Sequence, residues 1–555
     1  MRFLNVGESA LLIELDEDDA FGVMGLHDAI VRQRHAGDTC LSQLIEIVPA
    51  ACTLLVRFDS LAIDRAAIEH AIRDLGSDDG LTDYIAQSGR ARAGIDRAAN
   101  EQTIDVPVVY DGEDLGSLAA LLGISSQQLV ERHTMCLWTA AFVGFAPGFA
   151  YLISDDPLFD IPRRQEPRVR VPAGAVGLAG SYSGVYPRQS SGGWQLIGST
   201  ALAVWDERQD PPALIRPGDS VRFRAVRERI AAADPTDALP SQVIAHTIGG
   251  PVCGLYVDRP GAFAIFEDDG RMAADMGVSG SGAADPTSLH RANVLAGNPA
   301  GAPAVEIAGG GACFTASGEV VVAFAGASAP IVVRGLDGSS TAIVRQEAFL
   351  LADGDRLELG APRCGLRGYL AMQGGFQVHE VLGSASSDTM AHIGPDPIQA
   401  GDFLACAGHP HTVTGHGVEW ARLPVRSALT ELTLTLGPRD DWFTKESIDD
   451  LLTQCWKVTA HSDRVGLRLH GERPLMRTVT RELASEGTVA GAIEIPGNGQ
   501  PVLFLRDHPV TGGYPVVAVL DMRSLELAGQ LPAGALVRFQ APCRELDIYQ
   551  RRKAA

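Results

Sequence analysis

Lysine is almost missing from this chain of 555 residues: Lys445, Lys457 and Lys553 are all it has. Basic charge is therefore nearly all arginine, which suits bidentate contact with carboxylates or phosphates. Coding bias in a GC-rich genome accounts for the composition as a whole. Positive charge is scarce overall, with 46 Lys and Arg against 68 Asp and Glu and a formal net charge of −22. That balance argues against a nucleic-acid backbone or an anionic membrane surface as partner. Cysteine is sparse too: the nine present are odd in number and scattered, with no CxxC pair. A disulfide framework is excluded and reduced cytosolic thiols are expected. The opening MRFLNVGESALLIELDEDD turns acidic without a basic n-region, unlike a signal peptide. Long hydrophobic runs are absent; Val320–Val333 is broken by Gly326, Ser328 and Pro330 and reads as two strands. A soluble, cytoplasmic protein is the expectation. The sequence also lacks GxxxxGK[ST], GxSxG, SxxK and HExxH, and no lysine has methionine beside it as a biotin attachment site requires. His409, His411 and His416 fit no standard ligand spacing, so no metal site is expected.

What is abundant is glycine and proline, 61 and 32, within 46% apolar residues. This favours turn-rich β structure over long helices, and the length allows roughly three to five domains. Residues 1–90 read as an α+β lead domain. Ser9–Leu15 and Thr53–Phe58 alternate like half-buried strands, and Phe21–Gln33 and Ile63–Leu75 read as helices. Polar Gly89–Gln102 is a linker. Residues 103–224 form a second unit, opened by the strand Thr103–Tyr110. Ser125 with Gln128 makes a capping box, and that helix ends near His133. Residues 225–247 are a linker, 248–406 a β-rich domain and 418–545 a final barrel-like domain. Glycine turns before strands suggest domain ends near 224, 360, 406 and 540.

The chain is organised around Val143–Thr200, where GFAPGFAYL, PRRQEPRVRVPAGAVGLAG and SGVYPRQSSGGWQLIG join short strands through shaped loops. Thr488–Pro501 (TVAGAIEIPGNGQP) and Thr511–Val519 (TGGYPVVAV) repeat the pattern: an Ala-Gly-Ala turn, then a Gly-Gly-aromatic strand. One β unit used twice is the natural reading.

Several groupings could carry chemistry. The turn Gly280-Ser281-Gly282 opens a helix capped by Asp285 and started by Pro286, with Asn293 within it and Gly297 as its stop. Its N-terminus could hold a carboxylate or phosphate, or be an ordinary cap. Arg168 and Arg170 share a strand face and could clamp an anion, or charge an exposed edge. His133 could serve as acid or base, or close a helix. Arg439, Asp440 and Asp441, with Asp463 and Arg464, place carboxylates and arginines in turns, where local hydrogen bonding is the plainer role.

These motifs carry a resemblance. Residues 1–224 resemble the B-type subunit of 5-oxoprolinase (allophanate hydrolase subunit 1, or Kip-type kinase inhibitor) through Glu46–Asp59, GFAPGFAYL, PRVRVPAGAVGLAG and GVYPRQSSGGWQLIG. Residues 248–542 resemble the C-type subunit of the same enzyme (allophanate hydrolase subunit 2) through GVSGSGAADPTSLHRANVLAGNP, Gly365–Phe376, Gly437–Leu452, Ser462–Leu469 and VAGAIEIPGNGQP with TGGYP. The pair is similar to the carboxyltransferase region of urea carboxylase. The resemblance implies a mainly β fold: duplicated cyclophilin-like barrels after an α+β lead domain. It implies ATP with Mg2+ as co-reactant, an A-type subunit as partner, a small amide as substrate and cleavage of 5-oxoproline to glutamate. Alternatives are a biotin-dependent carboxyltransferase component, with biotin carried on another chain, and a Kip-type histidine-kinase regulator; a homo-oligomer is compatible with each. Residues expected in catalysis are His133, Asp285, Asp441 and Asp463. Those expected to bind substrate are Arg168, Arg170, Gly280, Ser281, Asn293, Arg439, Arg464, Gly512 and Gly513. One departure stands out: the family's Gln-Asp-x-Gly-Arg-Pro-Gly segment reads EDDGRMAADMGV here, with Glu267 in place of the glutamine.

Overall fold

The computed structural model describes residues 1–15, 20–77, 103–164, 166, 168–227, 253–343, 347–415 and 423–542. The expected linker at 89–102, most of 225–247, and His416 lie outside the described residues. The fold is mainly β.

The lead domain is an antiparallel sheet of Arg2–Asn5, Ala10–Glu14, Thr53–Phe58 and Leu44–Pro49, in that spatial order. Helices Ala20–His35 and Arg65–Ser77 cover one face, against Leu11, Ile13, Leu54 and Val56. The sequence reading made these strands half-buried, and the structure corrects it. Ala10, Leu12, Val48 and Leu55 on the other face pack on Val489, Ala492, Phe504, Val516 and Val519, far along the chain. A strand buried on both faces reads as a continuous apolar run, as Leu11-Leu12-Ile13 does.

Two barrels follow the same plan. In the first, strands β1 (Ile104–Val108), β2 (Trp138–Val143), β3 (Ala150–Ile153), β4 (Ala175–Ala179), β5 (Tyr182–Val185), β6 (Gln195–Ser199) and β7 (Ser220–Ala225) run in the order β1-β6-β4-β5-β3-β2-β7. The barrel closes where the Val109 and Ser199 backbones exchange hydrogen bonds of 2.9 and 2.8 Å. In the second, strands β8 (Leu429–Leu436), β9 (Trp456–Val458), β10 (Gly466–His470), β11 (Ala492–Glu494), β12 (Val502–Phe504), β13 (Val516–Leu520) and β14 (Leu536–Gln540) run in the order β8-β13-β11-β12-β10-β9-β14. Each strand of the second corresponds to the one seven earlier. In both, the first and last strands pair in parallel. Each also carries a two-stranded ribbon at the equivalent place: Arg168–Val171 with Ser190–Gly192, and Glu486–Gly487 with Thr511–Gly512. The repeated motif is thus one barrel unit used twice.

Between the barrels lies a sandwich of a six-stranded and a five-stranded sheet sharing one apolar core. The strand Arg356–Leu359 is internal to the six-stranded sheet, so the domain end suggested near 360 is not one. Helix Pro286–Ala296 lies on the outer face of the five-stranded sheet through Leu289, Ala292 and Leu295 against Ala323 and Ala371. Asp285 caps it, accepting from the Ser288 N–H at 3.0 Å, and Gly297 stops it at φ 84°.

The two halves close on each other tightly. Gly148 N–H donates to the Met276 carbonyl at 3.1 Å, and Gly277, at φ 76°, lies against Ala146. The Arg188 guanidinium donates to the Met390 and Ala391 carbonyls. Gly144 abuts Thr511: a Cβ there would sit 2.1 Å from Thr511 Oγ1. Thr511 is buried and β-branched, so it has little room to retreat. Gly144→Ala should therefore cost about 1–3 kcal/mol of stability through overpacking. Denaturant unfolding measures this; an unchanged midpoint would contradict the close seating.

Candidate functional site

The densest polar chemistry is buried where the sandwich meets the second barrel. Arg464, from a turn before β10, is 3% exposed at its side chain. It grips Asp507 with two bonds of 3.0 Å, donates to Glu306 at 2.6 Å and to the Gly282 carbonyl at 2.7 Å, and lies 3.2 Å from Glu267. Ser281 Oγ and Thr389 Oγ1 donate to Asp507 at 2.8 and 2.6 Å. Tyr369 and Arg367 attend Glu306 at 2.7 and 3.1 Å. Burial opposes ionisation throughout, yet Arg464 holds both Asp507 and Glu306 below the usual carboxylate range, with Arg367 helping at Glu306.

Glu267 is different. It is fully buried, neither oxygen accepts a well-aligned hydrogen bond from the described residues, and burial together with Glu306 and Asp507 pushes its carboxyl well up. Its unmatched burial sets Glu267 apart from the two carboxylates that Arg464 holds.

Close by, Arg271 is 4% exposed, and its Nε and Nη1 find no partner among the described residues. Its Nη2 donates to the Ser386 carbonyl. Asp388 accepts from Ser279 at 2.8 Å, and burial, aided by Asp507, raises its carboxyl to about 6. Four non-glycine residues take left-handed backbone angles: Phe145 (φ 66°), Ser281 (51°), Leu382 (55°) and His392 (52°). All sit in loops at this junction of first barrel, sandwich and second barrel. Such strain persists only where surrounding structure imposes it, and it gathers at functional sites. The junction seam is therefore the candidate site.

The structure brings some of the expected residues there and sends others elsewhere. Arg464 and Ser281 belong to the buried network, and the Gly280 carbonyl accepts from the Arg271 N–H at 2.8 Å. Asp285 serves as a cap, with Ser288 Oγ at 2.6 Å and Gln530 Nε2 at 2.7 Å filling its other oxygen. Asn293 is fully buried and latches the loop after the helix, donating to Ala300 and Ala302. Arg439 is buried and pairs with Glu486 and Glu14. Asp441 is exposed, 3.5 Å from Arg2. Asp463 bonds the Val465 and Gly466 N–H groups of its own turn.

Three more of the expected residues have partners within the chain. Arg168 donates to Asp114 at 2.8 Å, beside Arg164. Arg170 meets Gln189 instead, at 2.6 Å on the surface. His133 lies inside a core rather than in a cleft. It is sealed in the first barrel between Tyr110 Oη (2.7 Å) and Ser183 Oγ (2.9 Å), and burial lowers it to about 3, so it stays neutral. Sequence reasoning missed Glu267's partners Glu306 and Asp507. It also missed Glu494, which burial raises to about 7 against Arg468 and Arg477. A charged residue interrupting an apolar strand, as in AIEI, was the signal for Glu494.

No helix among the described residues is long and apolar enough to cross a membrane. Among them no group of His, Cys, Asp or Glu is placed to hold a metal ion.

The two barrels, the lead domain and the sandwich define a carboxyltransferase-domain architecture. The family model for carboxyltransferase domain subdomains C and D matches residues 1–215, and that for subdomains A and B matches 276–541. The crystal structure of TTHA0988 is 31% identical and superposes with a TM-score of 0.80, covering 96% of this chain and 99% of that one. The B-type subunit of 5-oxoprolinase from Bacillus subtilis (strain 168) is 32% identical over 227 residues, 40% of this chain and 92% of that protein. The C-type subunit from Escherichia coli (strain K12) is 32% identical over 295 residues, 51% of this chain and 90% of that protein. The B-type subunit from Escherichia coli O157:H7 is 49% identical over 130 residues, covering 60% of that protein. The chain belongs to the family of B-type and C-type 5-oxoprolinase subunits, and carries both in sequence order. Urea amidolyase of Lachancea kluyveri is also similar, 30% identical over 315 residues, though the match spans 17% of that protein.

A raised folded-state carboxyl binds its proton more tightly than the unfolded chain does, so its stabilising share is full at acid pH and lost as pH rises. Glu267 therefore weakens the fold progressively above the ordinary glutamate range. Glu267→Gln should remove that loss. Its advantage in unfolding midpoint over wild type should widen between pH 5 and pH 8, and a constant difference would refute the upward push on the Glu267 carboxyl.

Proposed function

We propose that the chain is the joined B and C component of an ATP-dependent 5-oxoprolinase, opening the lactam of 5-oxoproline to glutamate with a separate A-type subunit. The observation that supports this most is that both component types are matched along nearly their full length, side by side in one polypeptide. Their docking favours joint action: the lead sheet of the B-like half packs on the barrel of the C-like half. Three of the expected arginines do not fit a nucleotide. Arg168, Arg439 and Arg464 are each neutralised by carboxylates of the chain.

The seam's own residues fix how the sandwich and the second barrel sit against each other, which holds the surrounding surfaces ready for a small amide. Charged groups buried away from water interact more strongly and need no reorganisation when a substrate arrives. A second reading, transfer of a carboxyl group to urea, draws on the carboxyltransferase family models and the similarity to urea amidolyase.

The deciding assay mixes the full chain with an A-type subunit, ATP and 5-oxoproline and measures glutamate. Glutamate formed only when both proteins are present is the expected result. Carboxyl transfer from carboxybiotin to urea, with no glutamate, would replace the first reading by the second.

A further inference from the structure

The duplication allows the same surface to be compared in two copies. Ala173-Gly-Ala-Val-Gly177 of the first barrel corresponds to Ala490-Gly-Ala-Ile-Glu494 of the second. Strand pairing agrees: Gly177 faces Leu196, and Glu494 faces Val516, each beside a bulge at the same point. Val176 and Ile493 point into their barrels, so Gly177 and Glu494 lie on the outer faces. Ser191-Gly-Gly-Trp194 and Thr511-Gly-Gly-Tyr514 then form the matching ribbon loops.

The two faces are filled differently. In the first barrel Gly177 pairs with Gly184, and the Trp194 ring lies across both. A Cβ at Gly177 would stand 3.2 Å from Trp194 Cβ, and one at Gly184 would stand 3.1 Å from its ring. Phe149, Tyr151 and Tyr186 complete a packed aromatic cluster. In the second barrel the glycine is replaced by Glu494, and Tyr514, in the tryptophan's place, is 48% exposed. Glu494 is only 8% exposed, and its charged neighbours are Arg468 and Arg477. A Cβ at Gly512 would lie 3.6 Å from Glu494 Oε2. Arg477 stands near enough to act on Glu494 electrostatically, its guanidinium 5.9 Å from the Tyr514 ring; its Nη2 donates to the Ile495 carbonyl, and its buried Nε has no partner among the described residues.

A carboxylate held largely out of water beside a guanidinium with a buried, unused N–H suits a ligand that bonds to both. A planar cis-amide supplies that: its N–H and C=O leave the same edge, one a donor and the other an acceptor. We propose that the second barrel carries the amide-binding pocket, with Glu494 accepting the amide N–H and Arg477 and the Gly512–Gly513 backbone taking the carbonyl. The first barrel's copy is closed by Trp194 and keeps a scaffold role. The assignment rests on the reading of the chain as acting on a lactam or urea, and it says which half holds that substrate.

The test is calorimetric titration of the full chain with 5-oxoproline and with urea, alongside kcat/KM in the presence of the A-type subunit and ATP. Glu494→Gln and Arg477→Gln should each weaken binding about 10- to 100-fold, as loss of a charged hydrogen bond does, with the thermal midpoint preserved. Trp194→Phe, in the first barrel, should leave binding unchanged. Unaltered binding and kcat/KM in both second-barrel variants would overturn the pocket while leaving the oxoprolinase reading standing. Loss of binding in Trp194→Phe alone would move the pocket to the first barrel and overturn the assignment. A wild-type chain that neither binds nor converts either amide would overturn pocket and reading together.

Discussion

Arg464 is a guanidinium with almost no water, and much of the molecule is arranged to satisfy it. Asp507 reaches it from the second barrel, while Glu306 and Glu267 come from the sandwich. Removing one member of such a cluster strands the others in a low-dielectric interior, so the two domains hold one relative position or lose the network. The Ser281 turn and Thr389 bind the same carboxylate, which ties the strained loops to it. The precision of the junction follows from this one buried charge.

Docking of the lead sheet on the second barrel adds an apolar constraint to the electrostatic one. The sheet leaves no free face: helices cover one side and the distant barrel the other. The aromatic face of the first barrel meets the lead domain too, through Phe21 and Met24. The lead domain therefore bridges two copies of one unit, which lets the copies diverge while staying in register. One copy has filled its outer face with rings; the other has placed a carboxylate there.

Much of this was legible in the chain. The capping box at Ser125 and Gln128, the Asp285 cap with Pro286 and the Gly297 stop all appear as read, because each depends on hydrogen bonds within a few residues. The repeated Ala-Gly-Ala and Gly-Gly-aromatic turns gave away the duplication. The settings of Arg168 and His133 were not legible, because their partners, Asp114 and Ser183, stand far off in sequence, and no local pattern reports them.

The sequence by itself determined the turns, the caps, the two barrel units and their order, since backbone geometry and glycine placement are settled locally. Only the tertiary structure decided which arginines are already neutralised, that burial pushes the Glu267 carboxyl up, and which barrel face is closed. Those outcomes depend on burial and on charges brought together across long separations. A residue's neighbours in the chain do not reveal how much water it will keep.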